Sequence, residues 1–229
     1  MQSDLEQFSE TTSTEAFALQ NHKLLRVRLD RVTIQAKLGS MVAYQGEVTF
    51  DHAGAGGLGR LVKKVATGEG QSLMKVSGRG EVFLADAAQD IHLLYLQDDR
   101  ITVNGRNVLA FDDGIDWDIE RVKSVAGMIG GGLFNTRLQG TGWVAVLSDG
   151  PPVRLDVAQA PTFADAQAAV AWSAGVTTSL KTDVKLKSLI GLGSGETFQI
   201  AFGGEGWVLV QPSEGRIDVT ARSGSSLSG

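Results

Sequence analysis

The chain contains no cysteine, only four prolines and only three histidines among its 229 residues. Without cysteine it cannot form disulfide bonds, thiolate zinc sites, iron–sulfur clusters or a cysteine nucleophile. No stretch reaches the roughly 18 consecutive apolar residues of a membrane-spanning helix. The first ten residues also lack the basic and apolar regions of a signal peptide. We therefore expect a cytoplasmic protein, either free or peripheral to a membrane surface.

The charge balance argues against nucleic acid as a partner. The chain has 26 acidic and 21 basic residues, which gives a formal net charge of −5. Broad electrostatic binding of nucleic acid needs a basic face. At 42% hydrophobic and 21% charged residues, the composition supports a folded core and excludes a disordered chain.

Glycine is abundant: 29 residues, about twice the usual share of about 7%. Three segments, 78–84, 140–146 and 204–210, share the pattern Gly-x-Gly-x-Val-x-apolar. The alternation after the second glycine is typical of a strand with one buried face. The glycines indicate a bulge or a close backbone approach where the strand begins.

Two more elements recur in the same order as the glycine pattern. Segments 62–66, 122–126 and 186–190 place apolar residues around a lysine, and alanine precedes an aromatic residue at Tyr44, Phe111 and Trp172. These recurrences predict an all-β protein of three similar units around a pseudo-threefold axis, folding as one cooperative domain. The Asn104-Gly105 pair predicts a hairpin between the strands on either side of it.

The predicted organisation has three parts. Residues 1–22 are expected to be a flexible polar leader. Residues 23–213 form a single all-β domain of three repeats, at about 40–100, 101–160 and 161–213. Residues 214–229 are expected to contain a C-terminal strand and a loose Gly/Ser tail.

Four features have both a chemical and a structural interpretation. Residues 54–59 fit the Gly-x-Gly-x-x-Gly dinucleotide fingerprint, but no β–α alternation surrounds them, which favours a flexible hairpin tip. The three histidines lack the spacing of a metal cluster. The acidic run 112–120 could hold a hard cation, but strand alternation favours a solvated strand face. Trp143 and Trp207 follow equivalent glycines and could stack on bases; packing between units is the favoured interpretation.

Glycine-rich segments with lysines and apolar residues are the candidate binding sites. If the three units surround one axis, their segments emerge on the same side. Apolar residues beside lysines suit docking to a membrane surface or a protein partner. The alternative is that these side chains cap the end of the core. The candidate docking residues are Lys123, Met128, Ile129, Lys187, Ile190 and Leu192.

Several segments resemble one known family over roughly residues 24–211. They are residues 41–50, 77–85, 109–113 and 130–135, and they look like the mitochondrial-biogenesis, or altered-inheritance-of-mitochondria, family. The resemblance implies a fold similar to the tryptophan-attenuation RNA-binding protein, with short double-stranded β-helix units arranged in rings. It implies little about activity: the fungal namesake is mitochondrial and linked to inner-membrane organisation, and bacterial members lack an assigned activity.

The resulting functional expectation is a non-enzymatic β-scaffold, without a cofactor or metal, that binds a protein assembly or a membrane surface through the glycine-rich segments. The first alternative is a small-ligand or RNA-binding ring, by analogy of fold. The second alternative is an enzyme whose site the sequence does not reveal. A homo-oligomer is a further expectation, because edge strands are natural contact surfaces.

Overall fold

The computed structural model describes residues 4–52, 73–121, 134–181 and 199–213. Within these ranges the chain forms fifteen strands. Its helical content there is two short 3-10 turns, Leu5–Phe8 and Gly105–Asn107. The strands pair antiparallel, in one twelve-stranded and one three-stranded sheet. The prediction of an all-β protein is confirmed.

After β1 (Phe17–Asn21), the strands fall into three groups, each with leading, middle and glycine strands in that order along the chain. The first group has leading strands β2 (Leu24–Asp30) and β3 (Ile34–Lys37), middle strand β4 (Met41–His52) and glycine strand β5 (Leu73–Leu84). The second group has β6 (Asp90–Asn104), then β7 (Val108–Asp112) and β8 (Asp116–Arg121), then β9 (Phe134–Ser148). The third group has β10 (Val153–Asp156) and β11 (Thr162–Asp165), β12 (Ala169–Ser173) and β13 (Val176–Lys181), then β14 (Gln199–Gly204) and β15 (Trp207–Val210).

The middle and glycine strands pair in the same register in all three groups. The alanines that precede the recurring aromatic residues mark this register: Ala43 lies opposite Phe83, Ala110 opposite Ala145, and Ala171 opposite Leu209. In each group the register shifts by one residue just before that alanine. Counted by strand pairing, the groups span residues 24–84, 90–148 and 153–210. The repeat boundaries predicted from the sequence stay a prediction.

Neighbouring groups are joined edge to edge by paired strands. β3 of the first group pairs with β7 of the second, with Ala36 opposite Ala110. β6 of the second group pairs with β12 of the third, with Val103 opposite Ala171. The equivalent third pair would join β11 to β4, and it is not among the strand pairs of the described residues. The pseudo-threefold arrangement stays a prediction.

These junctions also complete the hydrophobic cores. The first core cluster is built mainly from the first group, but the second group adds residues from β6 and β9 and, from β7, Leu109 and Ala110. The second lies in the second group but includes Val170 and Ala171 from β12. Leu109 and Val170 are both fully buried, and each such side chain stabilises the fold by about 1.5–3 kcal/mol. Each of these two cores therefore depends on the next group along the chain.

The hairpin predicted at Asn104-Gly105 is wrong. The strands on either side, β6 and β7, both pair with β9 and not with each other. The buried Asn104 accepts a hydrogen bond from the Arg106 backbone N–H and donates one to the Ala166 carbonyl, at 3.2 Å each. Because β9 lies between the two strands, residues 105–107 must cross to its other side as a 3-10 turn.

A buried arginine holds the segment that precedes β1. Arg26 in β2 is only 2% exposed and donates hydrogen bonds to the backbone carbonyls of Ser13 at 2.8 Å and Glu15 at 3.2 Å. Its charge is matched by Glu81, 3.3 Å away. Residues 13–15, part of the predicted leader, thus lie against the sheet, because the buried guanidinium needs these acceptors.

The six glycines of the repeated pattern all have positive φ, from 92° at Gly204 to 151° at Gly80 and Gly142. The second glycine of each pair also leaves room for the middle strand. A Cβ at Gly142 would lie 2.6 Å from a carboxylate oxygen of Asp112, and one at Gly80 would lie 2.0 Å from the backbone oxygen of Gln45. These positions therefore require glycine for both backbone conformation and close approach.

Alanine substitutions should separate these two requirements. Gly80→Ala combines strain with a backbone clash and should lower the free energy of unfolding by more than about 3 kcal/mol. Gly140→Ala, whose nearest atom would be 3.6 Å away, should cost only the strain, about 1–3 kcal/mol. Urea unfolding followed by tryptophan fluorescence measures both values.

Gly114→Ala is the control, because nothing lies within 4 Å of a Cβ there. It should change stability by less than about 0.5 kcal/mol. Equal losses for Gly80→Ala and Gly114→Ala would refute the close-approach explanation.

Candidate functional site

The candidate docking residues all lie outside the described residues. Lys123, Met128 and Ile129 fall in segment 122–133, and Lys187, Ile190 and Leu192 fall in segment 182–198. The strands that flank these segments are described. Arg121 lies opposite Phe134, Lys181 opposite Gln199 and, in the first group, His52 opposite Met74. Segments 53–72, 122–133 and 182–198 therefore each connect the two paired strands of a middle–glycine hairpin.

A shallow groove lies beside Gly78 of the first group. It has a volume of about 510 Å³ and is lined by Arg31, Glu47, Val48, Thr49, Gly78 and Arg79. The lining offers two guanidinium groups, one carboxylate and one hydroxyl. These groups can form ion pairs and hydrogen bonds, but the lining lacks a histidine or a second carboxylate for acid–base chemistry.

One histidine is placed next to a serine, as in a hydrolytic site. The Nε2 atom of His92 lies 2.7 Å from the Oγ atom of Ser148. Ser148 is fully buried, however, and its hydroxyl donates to the Gly150 carbonyl at 2.7 Å. His92 must then donate to the serine oxygen, which is the opposite of a general base. Desolvation by burial lowers the pKa of His92, partly offset by Asp90, so a structural role fits this pair.

Metal ligands are not clustered in the described part of the chain. Within it, no group of three or more His, Cys, Asp or Glu side chains could hold a metal ion. His22 is exposed and lies 3.7 Å from Asp90. Among the same described residues, no helix has the length and apolar character needed to cross a bilayer.

The part of the acidic run that lies in β8 forms a solvated strand face, as predicted. In β8 the side chains of Asp116, Asp118 and Glu120 are exposed, whereas Trp117 lies partly buried between them. Arg137 of the neighbouring β9 lies 3.9 Å from Asp118 and 3.8 Å from Glu120. Surface ion pairs of this kind contribute little to stability.

The two equivalent tryptophans pack between groups, which confirms the favoured interpretation. Trp143 belongs to the second group but packs against the first core cluster, where its ring stacks on Phe17 at 6.4 Å. Trp207 belongs to the third group but packs against the second cluster. The Arg154 guanidinium lies 5.8 Å from the centre of the Trp207 ring. Both tryptophan rings therefore make packing contacts within the protein, and the Trp207 ring also makes a cation–π contact.

Adjacent aspartates at the end of β7 have pKa values shifted in opposite directions. Desolvation raises the pKa of Asp112, partly offset by a hydrogen bond from the Trp143 backbone N–H at 2.6 Å. Burial also acts to raise the pKa of Asp113, but Lys75 and Gln35 outweigh it and lower the pKa. Lys75 Nζ lies 2.9 Å and Gln35 Nε2 2.6 Å from the Asp113 carboxylate. Asp113 thus links β7 to β3 and β5 across the first junction.

An exposed apolar strand is the feature that the sequence did not reveal. In β4, Met41, Val42 and Tyr44 are 37%, 57% and 50% exposed. The residues at the same register in the second group, Val108, Leu109 and Phe111, are fully buried. The repeated alanine–aromatic motif gave no sign of this difference, because burial here depends on the neighbouring group.

Replacing each aspartate by asparagine should have opposite effects on stability. A raised pKa means that Asp112 supports the fold fully below its ordinary pKa and loses that contribution as pH rises through the raised value. Asp112→Asn keeps an acceptor for Trp143 without a buried charge, so it should stabilise the protein at pH 7. This gain should vanish in acid. Urea unfolding at neutral and acidic pH measures it.

Asp113→Asn should destabilise the protein at pH 7 by about 0.5 kcal/mol, a small value because the carboxylate is partly exposed and its pairing is screened. With its lowered pKa, Asp113 contributes stability above its ordinary pKa and loses it as pH falls through the lowered value. A stabilising Asp113→Asn, or an Asp112→Asn effect that is independent of pH, would contradict these assignments.

The fold matches known proteins along most of its length, and the resemblance found in the sequence is confirmed. The family profile described as mitochondrial biogenesis AIM24 matches residues 17–213. A crystal structure of a Streptococcus pyogenes protein, solved by a structural genomics consortium, has a TM-score of 0.67 and 25% sequence identity, and the alignment covers 85% of this chain and 91% of that one. No curated protein matches the chain. Because the profile covers most of its residues, this chain belongs to the mitochondrial biogenesis AIM24 family, whose biochemical function is uncharacterised.

Proposed function

We propose that this protein is a non-enzymatic β-scaffold that acts by binding, through the segments that connect its three middle–glycine hairpins. Its preferred target is an anionic membrane surface, to which it attaches peripherally. The observation that carries the proposal is the shared position of segments 53–72, 122–133 and 182–198 between paired strands of equivalent register. A rigid sheet thereby supports three segments that can act together.

The chemistry of these segments supports a membrane target. Segment 122–133 contains Lys123 beside Met128 and Ile129, and segment 182–198 contains Lys187 beside Ile190 and Leu192. Lysines near an anionic bilayer contribute about 1 kcal/mol each, and apolar side chains add burial at the headgroup boundary. Three such segments on one scaffold would bind more tightly than one, because the second and third contacts are intramolecular.

The negative net charge of the protein predicts that its binding to an anionic membrane depends strongly on salt. With a net charge of −5, the whole protein is repelled by an anionic surface, so the attraction must come from local lysines. Binding should therefore weaken steeply with added salt, which screens charges beyond about 10 Å at 0.1 M. A protein assembly is the alternative target and is an outcome of the test.

Liposome flotation tests the proposal with vesicles of neutral lipid and vesicles containing an anionic lipid. The wild-type protein should float with anionic vesicles at low salt and stay behind with neutral ones. Met128→Asp combined with Ile129→Asp should reduce flotation by roughly tenfold or more, because two carboxylates replace side chains that enter the headgroup boundary.

Leu38→Asp combined with Val153→Asp is the matched control. Leu38, just after β3, is 43% exposed, and Val153, in β10, is 52% exposed. The control therefore adds the same charge elsewhere on the surface and should float like the wild type. A folded wild-type protein that does not float would refute the membrane target. Equal loss in both variants would show that added charge, not segment 122–133, governs binding.

A further inference from the structure

We infer that the groove beside Gly78 binds a free acidic amino acid, with two guanidinium groups for its carboxylates and one carboxylate for its ammonium group. The groove is lined by Arg31, Glu47, Val48, Thr49, Gly78 and Arg79. This site is independent of the proposed membrane binding, because its residues lie on β4, β5 and the turn after β2 rather than in the connecting segments.

The groove crosses three neighbouring strands, with β5 between β2 and β4. Arg79 of β5 lies opposite Glu47 of β4 on one side and opposite Asp30 of β2 on the other. Arg31 follows Asp30 directly, and Gly78 precedes Arg79. A Cβ at Gly78 would lie 2.1 Å from the backbone oxygen of Glu47. Because only glycine fits there, the centre of the groove has no side chain and stays open to a small molecule.

The two arginines of the groove are the ones that the protein itself leaves unpaired. Among the residues that the structure describes, Arg31 and Arg79 form no ion pair, side-chain hydrogen bond or ring contact, and both are exposed. An exposed, unpaired guanidinium can donate two parallel hydrogen bonds to a carboxylate. Every other arginine side chain that is described makes such a contact: these are Arg26, Arg28, Arg100, Arg106, Arg137 and Arg154.

The carboxylate and the hydroxyl of the lining are available in the same way. Glu47 and Arg79 face each other on paired strands, where Cβ atoms are about 4.5–5.5 Å apart. Within the described part of the chain, however, neither Glu47 nor Thr49 forms a side-chain hydrogen bond or an ion pair. A ligand therefore displaces no existing ion pair when its ammonium binds Glu47 and its carboxylates bind the arginines.

The second group has the same turn without these positive charges. When the two groups are aligned on their paired glycines, Asp98 takes the place of Arg31, and Thr141 takes the place of Arg79. Arg31 and Asp98 both have a positive φ, 62° and 51°, which Asp adopts more readily than Arg. The Asp98 backbone N–H donates to the Thr141 hydroxyl at 2.9 Å. An arginine in this strained position of the first group points to a role for its side chain.

The charges of the lining define the class of ligand. Two guanidinium groups and one carboxylate complement two carboxylates and one ammonium group, which an acidic amino acid such as L-glutamate carries. A dicarboxylate without an amine would be repelled by Glu47, and a neutral amino acid would leave one guanidinium without a partner. The volume of about 510 Å³ lies within the range of small-molecule sites, roughly 300–1,000 Å³.

Isothermal titration calorimetry at low ionic strength tests the site with L-glutamate as the probe. We expect saturable binding at one site per chain. Glutarate, which lacks the ammonium group, and L-glutamine, which lacks the second carboxylate, should each bind roughly tenfold more weakly. A folded wild-type protein that gives no saturable heat with L-glutamate would overturn the inference. So would an analogue that binds as tightly as L-glutamate.

Substitutions assign the binding to the groove. Arg31→Gln, Arg79→Gln and Glu47→Gln should each weaken L-glutamate binding roughly tenfold, and they should fold normally because these side chains are exposed. Arg100→Gln and Asp30→Asn are the matched controls, since both residues are exposed and lie outside the lining. They should change the affinity by less than about twofold. Groove variants that bind like the wild type, or controls that lose as much affinity as the groove variants, would place binding elsewhere and overturn the inference.

Discussion

The structure depends on strand pairing between neighbouring groups, because that pairing brings one group's apolar residues into the core of the preceding group. β7 pairs with β3 and places Leu109 in the first core. β12 pairs with β6 and places Val170 in the second. Backbone hydrogen bonds fix the register, and hydrophobic burial supplies most of the stabilisation. Neither group has a complete core by itself, as in other repeat architectures.

The repeated glycines make this arrangement geometrically accessible. A middle strand can approach its glycine strand only where no Cβ intervenes, so Asp112 occupies the space beside Gly142, and Ser173 occupies the space beside Gly206. Asp112 also accepts a hydrogen bond from the backbone N–H of Trp143, and Ser173 accepts one from the backbone N–H of Trp207. The glycine motif is therefore a packing device that joins strands, and its recurrence needs no catalytic explanation.

The strand class and the positions of the close approaches could be predicted from sequence, because alternation and glycine spacing are local properties. Which strands pair with each other could not be predicted in this way. Residues 101–109 read as a hairpin, yet β6 and β7 are separated by β9. The burial of individual residues could not be predicted either. Val42 and Leu109 occupy the same place in the motif, yet Val42 is 57% exposed and Leu109 is fully buried. That difference is set by the group next to each strand, which is a long-range property of the fold.

The dependence of one core on the next group is tested most directly by hydrogen exchange on Leu109→Ala. This change removes a buried side chain that the second group contributes to the first core, at a cost of about 2–5 kcal/mol. The account predicts that amides in β2 and β5 of the first group lose protection together with those of β7. Loss of protection confined to the second group would contradict it, because the groups would then be independently stable.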